Sequence, residues 1–244
     1  MIKFGLIGHP LGHSFSKEYF SRKFIAEDID AEYLNFDIPE IGLLREVLAH
    51  NPTLRGLNVT IPYKQQIIPM LDSVEGQAAE IGAVNVVKIN ADGTLEGYNS
   101  DITGFSISIK SLLKPWHTHA LILGTGGASL AVACALRNMG IDYKFVSRTP
   151  SEGQLSYAGL DKNIMSTYKV IINATPLGTY PNVDGYPPIP YNLLNDKSLC
   201  FDLVYNPPLT EFLRQASARG ATIINGLDML HIQADESWKI WNNL

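Results

Sequence analysis

The chain has 244 residues, 45% hydrophobic and 18% charged, with a mean hydropathy of +0.02, which supplies a sizeable core and excludes a disordered chain. Nineteen basic against 24 acidic residues leave a formal charge of −5, the wrong sign for wrapping nucleic acid or lying on an anionic membrane. No window approaches the ~20 consecutive apolar residues of a membrane helix, and residues 1–8 read as a strand rather than a signal peptide, so a cytoplasmic protein is expected.

In chain order, residues 2–7, 32–36, 54–59 and 83–89 read as strands, and 15–26, 39–50 and 63–70 as helices. In the second helix Ile41, Leu44, Val47 and Leu48 recur at helical spacing. Such alternation implies βαβ units and a mostly parallel sheet. The pattern restarts at Ala120 with a strand over 121–123, a glycine turn, a helix to about Met139 and a strand over 143–146. Strands over 170–172, 199–203 and 222–224 follow, with a helix over 210–218. The proline-rich stretch 176–192 reads as a loop, and a last helix runs from about Leu227 to Trp241. The expected fold is α/β in two domains flanking a cleft: residues 1–101 with 226–244 for the substrate, and a Rossmann-type domain over 102–225.

Two cysteines, Cys134 and Cys200, lie in apolar runs and read as buried small hydrophobes. They are too few for a disulfide framework or a cysteine-based zinc site, and no metal is expected.

The strand over 121–123 runs into Gly124-Thr125-Gly126-Gly127-Ala128-Ser129 and then a helix of small residues. Glycines between a strand and a helix permit a tight turn and let backbone amides approach a pyrophosphate where the helix dipole favours an anion. NAD-binding folds set an acidic residue ~20 positions further on, against the ribose 2′-hydroxyl. Here the next strand ends in Ser147-Arg148-Thr149. An arginine and two hydroxyls suit a 2′-phosphate, so NADP is expected over NAD.

Five clusters are rich in small polar residues: 12–16 with Ser14 and Ser16, 58–64 with Thr60 and Lys64, 82–85 with Asn85, 99–101 with Asp101, and 229–233 with Gln233. Each follows an expected strand or opens an expected helix, where open α/β sheets bind ligands. Singly, each has a plainer reading: Ser14, Ser16 or Asp101 as a helix cap, Lys64 as a solvated lysine. A lysine, an aspartate and a ring of hydroxyls and amides together suit a small polyhydroxylated carboxylate.

Taken in order, Ser-x-Ser, Asn-Val-Thr-x-Pro-x-Lys, Gly-Ala-Val-Asn, Asn-x-Asp, Gly-x-Gly-Gly-Ala, Ser-Arg-Thr, Asn-Ala-Thr-x-x-Gly and Met-Leu-x-x-Gln resemble the shikimate dehydrogenase family from Ser14 to Gln233. The resemblance implies reduction of 3-dehydroshikimate to shikimate with NADP. It implies that Ser14, Ser16 and Tyr205 hold the substrate carboxylate and that Thr60, Asn85 and Gln233 bond the ring hydroxyls. Lys64 and Asp101 would be the catalytic pair, with Lys64 either the proton donor or an electrostatic anchor. On the cofactor side it implies Gly124, Gly126, Gly127 and Ala128 at the pyrophosphate and Ser147, Arg148 and Thr149 at the 2′-phosphate. Asn173, Ala174, Thr175, Leu203, Gly226 and Met229 would border the ribose and nicotinamide. The implied partner is a small molecule, not nucleic acid or membrane, and the chain would be a monomer or homodimer.

Three positions depart from the family pattern. Glu152 stands where a second basic residue usually faces the 2′-phosphate, Tyr98 replaces an aspartate, and Ser100 replaces a threonine. Competing readings are a quinate/shikimate dehydrogenase, which would favour an acid at the Ser147-Arg148 corner, and a non-catalytic NADP-binding sensor, which would have lost Lys64 or Asp101.

Overall fold

The apolar run at the start of the chain forms β1 (Ile2–Gly8), buried along all but its first two residues, as expected of a central strand covered on both faces. The computed structural model describes residues 1–12 and 15–244, and the chain divides into two units, Met1–Ser100 with Gln233–Leu244, and Asp101–Ile232.

The first unit continues with α1 (Phe15–Ala26), β2 (Ala31–Asp37), α2 (Leu44–His50), β3 (Leu54–Val59), α3 (Tyr63–Gln66), β4 (Ser73–Val74), α4 (Gly76–Ile81), β5 (Val86–Ile89) and β6 (Leu95–Tyr98). Its sheet order is β2-β1-β3-β5-β6-β4. The sheet is mostly parallel but mixed: β5 runs antiparallel to both β3 and β6. A short turn around Gly93 (φ +87°) joins β5 to β6, and a connection that short permits only antiparallel pairing. Two expected helices are shorter than their apolar spacing suggested. A separate 3₁₀ turn, Ile41–Leu43, precedes α2, and another, Ile68–Met70, follows α3, where Pro69 has no N–H to continue the ladder. The expected strand over 83–89 starts only at Val86, because the Val84 amide is given to the Lys64 carbonyl (2.7 Å).

One core of this unit is aromatic: Phe4, Phe20, Phe24 and Tyr33 gather around Trp241 of the C-terminal segment. Gly56 makes room for it, since a Cβ there would overlap the Trp241 indole. The indole Nε1 donates to the Val87 carbonyl at 3.1 Å.

The second unit carries α5 (Ser100–Lys110) from its second residue, then β7 (His119–Leu123), α6 (Gly127–Asn138), β8 (Asp142–Ser147), β9 (Leu155–Ser156), α7 (Lys162–Thr167), β10 (Val170–Asn173), β11 (Leu199–Asp202), α8 (Glu211–Ser217), β12 (Thr222–Ile224) and the start of α9 (Leu227–Asn242). Every strand pair is parallel and the order is β12-β11-β10-β7-β8-β9. Strand addition therefore reverses between β7 and β10, and the carboxyl ends at such a reversal form the crevice where open α/β sheets bind ligands. Small buried residues from Ala131 to Leu136 let α6 pack close to this sheet. Cys134 and Cys200 are both buried. Among the described residues no helix is long and apolar enough to cross a membrane.

Candidate active site

The first unit's polar residues come from five separated segments. Tyr33 on β2, fully buried, donates its hydroxyl to Asn58 Oδ1 (2.8 Å), and Ser16 on α1 hydrogen-bonds the same phenol. Burial drives the Tyr33 pKa well up, so the phenol stays protonated as a donor. Asn58 Nδ2 donates to Ser237 Oγ (2.9 Å), which donates onward to the Gln233 carbonyl (2.8 Å) and lies 3.2 Å from Ser100 Oγ. Asn85 closes the chain: its Oδ1 accepts the Ser100 amide (2.7 Å), its Nδ2 donates to Ser100 Oγ (3.1 Å), and Ser100 Oγ also reaches Gln233 Oε1 (3.4 Å). One continuous network thus joins Ser16, Asn85 and Gln233, three of the expected substrate residues. In a buried setting such a network fixes its members' orientation, because an unmade bond costs more than a made one gains.

Tyr33, Asn58 and Ser237 in that network had no role assigned from the sequence. The available signal was an asparagine inside the apolar strand 54–59, since a buried polar group there needs a partner. Ser100 occupies the network's centre although it departs from the family pattern. Tyr98, another departure, donates its phenol to Glu96 (2.9 Å) and meets Asn85 only through its backbone carbonyl.

Thr60 ends the β3 edge, its amide on the Ile7 carbonyl (3.0 Å). Lys64 follows on α3, half-buried, beside Tyr63, whose buried hydroxyl donates to the Ile38 carbonyl (2.6 Å). Upstream, Asp37 accepts from His9 Nδ1 (2.7 Å) and the Leu11 amide (3.1 Å), which holds its carboxyl below the usual range. These contacts fix the start of the loop that leads to Ser14, which itself lies outside the described residues.

In the second unit Asp101 is buried in the first turn of α5. Tyr205 is half-buried after β11, and burial raises its pKa. Gly124, between β7 and α6, has φ +104°, and a Cβ on it would sit 3.0 Å from Thr175 Cγ2 and 3.2 Å from the Ala174 carbonyl. Glycine is required there for both reasons. Gly126 caps α6 with no side-chain bond and open space above it, and Ser129 folds back onto its carbonyl (Oγ 2.6 Å). A twelve-residue helix opening on bare backbone amides, at the sheet's reversal point, fits a pyrophosphate.

At the end of β8, Ser147 Oγ accepts the Thr149 amide (3.2 Å), leaving Arg148 and Thr149 exposed. An exposed guanidinium beside two hydroxyls fits the 2′-phosphate that distinguishes NADP. Glu152 is exposed nearby in sequence. Asn173, by contrast, is fully buried with its amide committed to protein: Oδ1 accepts from Thr175 N and Oγ1 (3.1 and 2.6 Å), and Nδ2 donates to Asp202 and the Leu177 carbonyl (2.9 and 3.3 Å). Leu203, Gly226 and Met229 stand at the β11 end and the start of α9, Gly226 pressed against the Leu203 carbonyl. Among the described residues no group of three or more His, Cys, Asp or Glu side chains could hold a metal ion.

Residues 6–87 match the sequence model of the shikimate dehydrogenase substrate binding domain. A shikimate dehydrogenase (NADP+) of Methanococcus aeolicus is 36% identical, the alignment covering 98% of this chain and 91% of that one. The crystal structure of a Thermus thermophilus shikimate 5-dehydrogenase in complex with NADP(H) and shikimate superposes with a TM-score of 0.88 at 32% identity, covering 100% of this chain and 94% of its own. A quinate dehydrogenase of Corynebacterium glutamicum in complex with NAD gives the same TM-score at 26% identity, with 100% and 94% covered. Similarity at this identity over nearly the whole of both chains leaves one assignment: the chain belongs to the shikimate dehydrogenase family.

Proposed function

We propose that this protein catalyses the reversible NADP-dependent interconversion of 3-dehydroshikimate and shikimate, a step of aromatic amino-acid biosynthesis in the cytoplasm. The observation that supports it most is the buried network that orients Ser16, Asn85 and Gln233. Hydroxyls and amides locked in register suit a ring whose hydroxyls must each be matched.

In this reading Ser14, Ser16 and Tyr205 bond the substrate carboxylate, and Thr60, Asn85 and Gln233 bond the ring hydroxyls. The backbone of Gly124, Gly126, Gly127 and Ala128 holds the dinucleotide's pyrophosphate, and Ser147, Arg148 and Thr149 hold its 2′-phosphate. The chemistry NADP supplies when bound is the exchange of a hydride with the substrate's C3. During reduction negative charge grows on the C3 oxygen. The Lys64 ammonium stabilises that charge and delivers the proton to the oxygen; in the reverse direction its neutral amine accepts it. Asp101 is the second member of the catalytic pair in this reading.

The test is absorbance at 340 nm with purified protein and shikimate, comparing NADP with NAD and shikimate with quinate. Turnover with NADP and shikimate is expected. Preference for NAD and quinate would favour the second reading, a quinate/shikimate dehydrogenase, for which Glu152 in place of a second cation is the motivating feature. Cofactor binding without turnover of either substrate would sink the enzyme and leave a sensor.

A further inference from the structure

Asp202, at the end of β11, is fully buried, and among the described residues no lysine, arginine or histidine pairs with it. Its bonds are neutral: Oδ1 accepts from Asn173 Nδ2 (2.9 Å) and the Val204 amide (3.0 Å), and Oδ2 from Thr210 Oγ1 (2.5 Å). Burying a carboxylate without a cation is costly, and this burial lifts its pKa to about 6.

What the carboxylate collects is informative. Through Asn173 it reaches Thr175, whose amide and hydroxyl both bond Asn173 Oδ1, and Thr175 Cγ2 borders the space left by the missing Cβ of Gly124. Through Val204 it reaches the start of α9, because the Val204 carbonyl accepts the Gly226 amide (3.2 Å) while Gly226 packs on the Leu203 carbonyl. The Leu203 amide returns to the Asn173 carbonyl (2.9 Å). Three turns at the carboxyl edge of the sheet, around 124, 173–175 and 203–205, are thus linked to one carboxylate.

Resting on the function proposed above, we propose that Asp202 is a positioning residue for the cofactor site: it sets the 173–175 and 203–205 turns against each other and thereby the backbone that meets the nicotinamide end of NADP. It touches neither substrate nor cofactor. Misplacement of about 1 Å in such a frame can cost up to ~10²-fold.

The experiment measures the Kd for NADPH by nicotinamide fluorescence without substrate, then kcat and both KM values, on wild type, Asp202→Ala, Asp202→Asn and Thr210→Val, with thermal melts alongside. Asp202→Ala is expected to weaken NADPH about tenfold or more and lower kcat, with a smaller rise in the KM for shikimate because Tyr205 lies in the 203–205 turn. Asp202→Asn keeps an oxygen for Asn173 and Val204 and should restore NADPH binding to within about threefold. Thr210→Val should weaken it roughly two- to fivefold through one lost bond. A folded Asp202→Ala protein with wild-type NADPH affinity overturns the proposal, as does a loss that falls equally on both substrates. If the alanine variant does not fold, unchanged NADPH affinity in Thr210→Val overturns it instead. Wild type that binds NADPH but leaves shikimate untouched overturns the functional reading alone, and the binding comparison still decides Asp202.

Discussion

Buried polar groups are handled differently in the two units. In the first, Tyr33, Asn58, Asn85, Ser100, Gln233 and Ser237 are neutral and satisfy one another, so their orientation is set before any ligand arrives. In the second, the polar groups buried at the end of the sheet include a carboxylate, Asp202, while the groups proposed to meet the cofactor are the backbone amides that open α6 and the exposed Arg148. The difference matches the two ligands. A ring bearing several neutral hydroxyls is distinguished by hydrogen-bond geometry, whereas phosphates are held by charge and by helix amides. The first unit's fidelity should therefore respond to lost bonds and hardly to salt, and the second unit's affinity to both.

The largest effect is expected at the reacting oxygen. Lys64→Ala should lower kcat by ~10²–10⁴-fold if the lysine is the proton donor, with the NADPH Kd unchanged. A fall of less than about tenfold in steady-state kcat would make it an anchor only.

Next comes the buried charge. The Asp202 pKa rises from 3.8 to about 6 on folding, so the folded protein holds the proton more tightly than the unfolded chain. Its contribution to stability is greatest below pH 3.8 and is lost as pH rises through 6. The penalty above pH 6 is about 3 kcal/mol as an upper figure. Asp202→Asn should therefore melt higher than wild type at pH 8, less whatever its weaker hydrogen bonds give up, and the gap should close towards pH 4. Parallel curves across that range would contradict a buried charged carboxylate.

Arg148→Ala should raise the KM for NADP roughly 10- to 150-fold, from a charge-assisted bond of ~1.5–3 kcal/mol, without moving the KM for shikimate. The wild-type KM for NADP should climb with salt and the variant's much less. Equal salt dependence in both would remove Arg148 from the phosphate.

Much of this was legible in the sequence, for identifiable reasons. The second unit's strands and the glycine turn at 124–129 stand out because fully parallel strands are continuous apolar runs and the turn demands glycine. The antiparallel β5–β6 pair was harder: β6 is four residues long, and its neighbour Val84 has strand composition while its amide serves Lys64. Site residues that sit in motifs could be named; those that orient them could not. Asn58, Ser237 and Asp202 act through hydrogen bonds to residues as far as 179 positions away, which no local pattern encodes. Spacing reveals an element's period, not which distant side chain satisfies a buried amide.

The smallest effect tests the neutral half most directly. Ser237 is fully buried and accepts from Asn58 Nδ2, donates to the Gln233 carbonyl and lies beside Ser100 Oγ. Ser237→Ala removes one oxygen and adds nothing, leaving Asn58 Nδ2 only the 3.4 Å contact to the Asn85 carbonyl. A buried donor left so poorly met costs about 1–3 kcal/mol, which a denaturant titration would read as a lower midpoint at unchanged slope. The disturbance passes through Ser100 to Asn85 and Gln233, so the KM for shikimate should rise about two- to fivefold, while the NADPH Kd and its salt dependence stay at wild type. A rise in the NADPH Kd of the same size would mean that the neutral network and the charged frame are not independent, and the contrast between the two units would fail.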